Sequence, residues 1–154
     1  MVRLADLPEV EAQHLRDKPC PRFAGSPLVD GPPLRERRVA IVTTAGLHPR
    51  GAAAFALSDT GFRVIPGDTT GRDLVMSHTS VNFDRTGFQQ DLNVVFPIDR
   101  LREAEARGEI ASLAARHYSL MGALWEPHEI EPTARGLAGL LKQDRVDAVL
   151  LVPV

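Results

Sequence analysis

Three stretches of the chain gather side chains able to move a proton, hold an anion or grip a polar ligand. The first is TTAGLHPRG, Thr43 to Gly51, directly behind an apolar β-branched run. Small residues and glycine after a strand let backbone amides approach an anion, and Thr43, Thr44 and His48 add side-chain donors. Gly46 and Gly51 have the spacing of a phosphate-binding loop, but Ala52 and Ala53 stand where that motif needs Lys and Ser or Thr, and GxGxxG is absent. A small-molecule site, a nucleotide loop and a plain turn all stay open there. The second stretch, HTSVNFDRTGFQQDLNVVFPIDRL, places His78, Asn82, Asp84, Asp91 and Asn93 in one polar segment suited to holding a polar substrate or positioning a proton donor. Asp84 and Asp91 equally suit turn formation, in which a short polar side chain bonds nearby backbone. The third is RHYSLMG, where His117 and Ser119 lie near a strand end. A lone histidine there serves either as a hydrogen-bonded structural residue or as an acid–base group. His48, His78 and His117 could converge on one site, but no HxH or HExxH spacing supports a metal, and none is expected.

Other residues have blander readings. Cys20 sits in a proline-rich segment with no charge or helix start to activate a thiolate, and it alone can form neither an intramolecular disulfide nor an all-Cys metal site. Ser119 lacks the GxSxG context of a nucleophile elbow. Trp125 and Tyr118 read as packing residues, and His128, beside Pro127, as a surface residue at a helix start.

The elements that must position these groups follow from periodicity and punctuation. Residues 1–37, rich in proline and glycine over PCPRFAGSPLVDGPP, read as an arm with a short helix that drapes over the domain or pairs with another subunit. Residues 38–154 form the domain. RVAIVTT is a strand, FRVIP a second closed by proline, and DLVMSH a third short extended piece. TSVNFDRTGFQQDLN reads as a long loop, and long loops inside compact domains are often functional. PIDRLREAEARG is a helix of about ten residues, with Asp99 in its first turn, Glu103 four residues before Arg107, and Gly108 at its C-terminal cap. EIASLAARHYSLMG contains a strand, although its alanines leave a helix open. EIEPTARGLAGLLKQDR puts Ile130, Ala134, Leu137 and Leu141 on one face of a helix in which Pro132 is tolerable only in the first turn. DAVLLVPV, Asp147 to Val154, has the unbroken apolar run of a strand buried on both faces at the centre of a parallel sheet. The fold class is therefore α/β: a layered, mostly parallel, Rossmann-like sheet with flanking helices, expected to be incomplete at its C-terminal end, with its site at the strand ends.

Composition narrows the function classes. The 154 residues suit one domain, with 44% hydrophobic and 25% charged residues and a formal net charge of −2. No basic surplus is available for a phosphate backbone, and aromatics make up only 5%, which argues against a nucleic-acid partner. Charges break the N-terminus every few residues, so it supplies no signal-peptide core, and no apolar run approaches the roughly 18 residues of a membrane span. A cytoplasmic protein without a membrane role is the expectation.

VAIVTTAGLH, SHTSVNFDRTGFQQDLNVVFPIDRLRE, ARHYSLMG and VDAVLLVPV together resemble the selenoprotein B family of glycine, sarcosine, betaine and D-proline reductases, over about Arg38 to Val154. The His-loop-DxNxVFPxDRL stretch carries the most specific part of the likeness. The resemblance implies an oxidoreductase subunit that reductively cleaves a carbon–nitrogen bond of a small amino acid or amine. It also implies a selenocysteine, or a cysteine in its place, in a UxxC or CxxC motif immediately after the strand matching VDAVLLVPV. Selenocysteine is encoded by UGA, normally a stop, so the redox residue is expected directly after Val154, and the 154 residues by themselves are expected to be inactive. A selenolate at a strand's carboxyl end, near a helix start, would be stabilised as an anion, and a paired cysteine would resolve its adduct by thiol exchange. This chain has no CxxC, so it contains no catalytic residue of that kind itself.

The same resemblance implies that Thr43, Thr44, His48, His78, Asp84, Asp91 and His117 line a substrate pocket. It implies a second reductase subunit, which in some relatives bears a pyruvoyl group, together with a thiol electron donor and a homo-oligomeric assembly. Two other functions compete: a stand-alone selenol–thiol reductase of another small electrophile, and a non-catalytic α/β small-molecule-binding module.

Overall fold

A computed structural model describes residues 3–19, 22, 24–80, 85–122 and 126–154. Asn82, Asp84, Cys20 and Trp125 lie outside these residues. The strand expected at RVAIVTT is β1, Arg38–Thr43, and it is the axis of the sheet. Its β-branched residues are buried because strands flank it on both sides. Later strands are β2 (Leu47–Pro49), β3 (Phe62–Pro66), β4 (Leu74–Met76), β5 (Ser112–Leu113), β6 (Arg116–Leu120) and β7 (Ala148–Val152). The helices are α1 (Glu9–Asp17), α2 (Thr86–Gln90), α3 (Ile98–Ala106) and α4 (Pro127–Gln143).

On one edge β1 pairs parallel with β7, from Val39 opposite Ala148 to Thr43 opposite Val152. Its other edge is shared: β5 pairs with Arg38 and Val39, and β6 with Val42 and Thr43, both parallel. β3 closes that side antiparallel to β6. The mostly parallel α/β sheet with helices on its faces is the expected fold class. Val39 and Ile41 face α3 and the segment before it, packing with Phe96, Ile98, Leu101 and Ile110, while Val42, Tyr118 and Leu120 pack under Leu137 of α4. Tyr118 is a packing residue as expected, edge-to-face with Phe62 at 5.6 Å. Among the described residues no helix is long and apolar enough to cross a membrane.

Several expectations are corrected. The strand of EIASLAARHYSLMG is two short strands, because the chain bends at Ala114 and Ala115, where Ala114 N donates to Val39 O and Gly67 N donates to Ala115 O. The loop after Gly46 contains β2, which pairs antiparallel with β4 in a small separate sheet. The polar segment before α3 is not all loop: it holds α2 and a 3-10 turn, Leu92–Val94, both too short for periodicity to reveal. Pro132 lies in the second turn of α4, since Pro127 takes the first helical position and Glu126 and Glu129 cap the start reciprocally.

The largest correction concerns β7. Among the described residues it pairs only with β1, as a sheet edge, and is not buried on both faces: Leu151 is 69% exposed. An apolar hollow of about 210 Å³, lined by Leu34, Val39, Leu101, Ile110 and Ala148–Leu150, runs beside it. An apolar edge strand recruits other strands. The 154-residue chain is therefore expected to self-associate, and Leu151→Lys to shift it toward monomer in sedimentation velocity. Unfolding should change by no more than about 0.5 kcal/mol, the usual range for an exposed position.

Candidate functional site at the strand ends

The carboxyl ends of β1, β6 and β7 meet around Thr44. Its backbone N donates to Val152 O at 3.1 Å, and its O accepts from Gly122 N at 2.9 Å. Its hydroxyl accepts from Val154 N at 2.8 Å and lies 3.3 Å from Val154 O, where it donates. Thr44 thus fixes the segment leaving β7 from both sides. Gly122 permits this closeness, because a Cβ there would come within 2.6 Å of the Thr44 Cβ.

Thr43 is fully buried, with its hydroxyl donating to Val95 O at 2.8 Å and accepting from Ala45 N at 3.2 Å. Gly46 turns the chain with φ +66°, its N donating to Leu120 O and its O accepting from Ser77 N, both at 2.8 Å. A side chain there would crowd the His78 backbone N at 3.0 Å, so glycine brings the His78 segment against the strand ends.

His78 is 5% exposed, and its Nδ1 accepts from Ser80 N at 3.2 Å. Burial lowers its pKa, the positive charge of Arg85 lowers it further, and the Val154 backbone beside it works the other way. Arg85 donates to the His78 carbonyl at 2.5 Å. Thr44 and His78 therefore both reach Val154.

His48 lies in β2 with its ring bonded to Ser77 and Pro49. His117 stands apart from both, near the start of β6 and not at its carboxyl end. It is fully buried, and its Nδ1 accepts from Ile41 N at 3.0 Å, filling the interval in the β1 ladder between β5 and β6. The three histidines do not converge through their contacts. Among the described residues no group of three His, Cys, Asp or Glu side chains is placed to hold a metal.

Asp91 is exposed and its carboxylate accepts from Asn93 N at 2.9 Å and Asn93 Nδ2 at 2.8 Å, which lowers its pKa. Asn93 in turn accepts from Asp99 N at 3.0 Å, supplying the cap that Pro97 lacks at the head of α3. Asp99 accepts from Arg102 at 2.7 Å, and Arg102 donates to Gly67 O and Thr69 O. The DxNxVFPxDRL stretch therefore braces α3 and presents Val95 O to Thr43. Removing the cap costs about 1 kcal/mol in comparable cases. Asn93→Ala is expected to lower stability by about 1–2 kcal/mol in urea unfolding.

Sequence reasoning missed Gly122 and Ser77. Gly122 ends the quoted RHYSLMG run but has no local signature, and Ser77 acquires its partner 29 residues away.

The family described as Glycine/sarcosine/betaine reductase selenoprotein B (GRDB) matches residues 29–154. The chain is 38% identical over 120 residues to D-proline reductase subunit gamma of Acetoanaerobium sticklandii, covering 77% of this chain and 49% of that one. It is 31% identical over 124 residues to Glycine reductase complex component B subunit gamma of Carboxydothermus hydrogenoformans, covering 77% and 28%. It is 30% identical over 122 residues to Betaine reductase complex component B subunit beta of Peptoclostridium acidaminophilum, again covering 77% and 28%. The chain thus spans half or less of the length of these relatives. No solved structure matches.

Proposed function

Because the chain belongs to the glycine/sarcosine/betaine reductase selenoprotein B family, we propose that it is part of a reductase subunit that cleaves a carbon–nitrogen bond of a small amino acid or amine. Its redox residue, selenocysteine or cysteine, follows Val154 directly. The observation that carries this reading is the grip of Thr44 on Val154, with His78 against the same backbone. A residue one step further along the chain emerges from the end of a parallel strand, where α/β proteins hold their ligands. A selenolate there supplies a soft nucleophile and the electrons for cleavage. Thr44 fixes its direction, His78, which burial and Arg85 hold in its neutral form, borders the same backbone, and the departing amine takes its proton from solvent.

Thr43 and Asp91 act behind these residues through Val95 and α3. His48 belongs to the proposed lining set, whereas His117, fully buried near the start of β6, supports the sheet behind it. The relatives are named as subunits or complex components, which supports action beside a second subunit. A pyruvoyl group on that partner and a thiol couple as electron source complete the proposal.

The test is the intact mass of the protein from its natural host grown with selenium. A species heavier than 154 residues and carrying selenium's isotope pattern is expected, and peptide mapping should place the selenium after Val154. A mass of 154 residues without selenium would end the reductase reading and leave a small-molecule-binding module.

A further inference from the structure

Two side chains unpaired in the sequence reading meet between the small sheet's strands. Ser77 Oγ lies 2.7 Å from His48 Nε2, and His48 Nδ1 lies 3.0 Å from the Pro49 carbonyl oxygen. A carbonyl oxygen only accepts, so Nδ1 carries the proton of the neutral ring and Nε2 accepts from the Ser77 hydroxyl. The backbone fixes both residues: His48 stands opposite Val75 in the β2–β4 ladder, and Ser77 N is bonded to Gly46 O. His48 is 5% exposed, whereas Ser77 is only partly buried, so the base is the more sheltered of the two residues.

We propose that Ser77 is a base-activated nucleophile, with His48 as its general base and the Pro49 carbonyl orienting the imidazole, and that it accepts acyl groups from small activated esters. Nucleophile, base and orienting group stand in the relation that covalent catalysis requires, with a backbone carbonyl where a carboxylate often stands. As Ser77 Oγ bonds to the acyl carbon, its proton passes to His48 Nε2. The bond from that carbon to its leaving group then breaks, and the leaving group takes the proton. Water, giving its proton to the same nitrogen, hydrolyses the Ser77 ester and restores the hydroxyl. No electrons are exchanged, so this activity does not need the redox residue proposed above, although it shares His48 with the proposed lining set.

The test is reaction of the purified protein with a fluorophosphonate, read by peptide mass, and with p-nitrophenyl acetate. Ser77 is expected to be modified about 10²-fold faster than exposed Ser26 and Ser58, in keeping with the usual gain from a positioned base. Ser77→Ala should remove the adduct, and His48→Gln should slow it by a similar factor. Modification of Ser77 no faster than that of Ser26 in the unaltered protein would overturn the proposal, whatever the folding of the variants. An unchanged rate in folded His48→Gln would overturn it equally.

Discussion

Acidifying the protein from pH 7 to pH 4 is expected to remove stability on the order of 3 kcal/mol through one side chain, His117. Its pKa falls from the ordinary 6.5 to about 4, first because burial disfavours the charged ring and second because Arg102 repels it. The hydrogen bond gives a further reason: Nδ1 accepts from Ile41 N, so a proton on Nδ1 would set two donors against each other. The folded state thus binds fewer protons than the unfolded chain between these two values. The contribution is complete above pH 6.5, declines as pH falls through that window, and is gone below about pH 4. A shift of this size corresponds to about 3 kcal/mol. His78, also lowered, adds in the same direction.

His117→Asn separates the structural bond from the charge. Its amide oxygen can accept from Ile41 N but cannot titrate, so urea midpoints from pH 7 to pH 4.5 should flatten relative to the unaltered protein. His117→Phe leaves the Ile41 N–H without its acceptor and should cost about 1–3 kcal/mol at neutral pH. Parallel pH dependence in His117→Asn and the unaltered chain would show that His117 does not carry the acid sensitivity.

Gly122→Ala is expected to have the second large effect, about 1–3 kcal/mol of stability, as overpacking typically costs. The added methyl would sit 2.6 Å from the Thr44 Cβ and 2.9 Å from the Thr44 O, so backbone must move and not merely a rotamer. Movement there reaches Val154 through the Thr44 hydroxyl. Urea unfolding checks the cost, and amide exchange at Val154 checks the transmission: faster exchange is expected in the variant. An unchanged midpoint and exchange rate would mean that Thr44 and Gly122 have room the structure does not show.

Much of the scaffold was legible because its signals are local. β1 announces itself by β-branched residues between charges and glycine. The helix α3, Ile98–Ala106, shows its ends through Asp99 and Gly108, and α4 shows its buried face through Ile130, Leu137 and Leu141. The same four stretches that carried the family likeness lie within the matched residues 29–154. Polar residues were harder to read, because Asp or Asn chemistry is the same whether it binds a substrate or a backbone amide. Asp91 and Asn93 therefore looked like site residues, although their bonds in the fold brace α3.

The sequence by itself determined the α/β class, the helices α3 and α4, the central strand and the family, since each depends on residue types a few positions apart. Tertiary structure decided which strands are neighbours. Pairing joined Ile41 to His117 across 76 residues, Ser77 to His48 across 29 and Thr44 to Val154 across 110. It also set β7 at an edge although its apolar run matches a covered strand, because composition records how apolar a strand is, while its cover depends on what lies beside it in space.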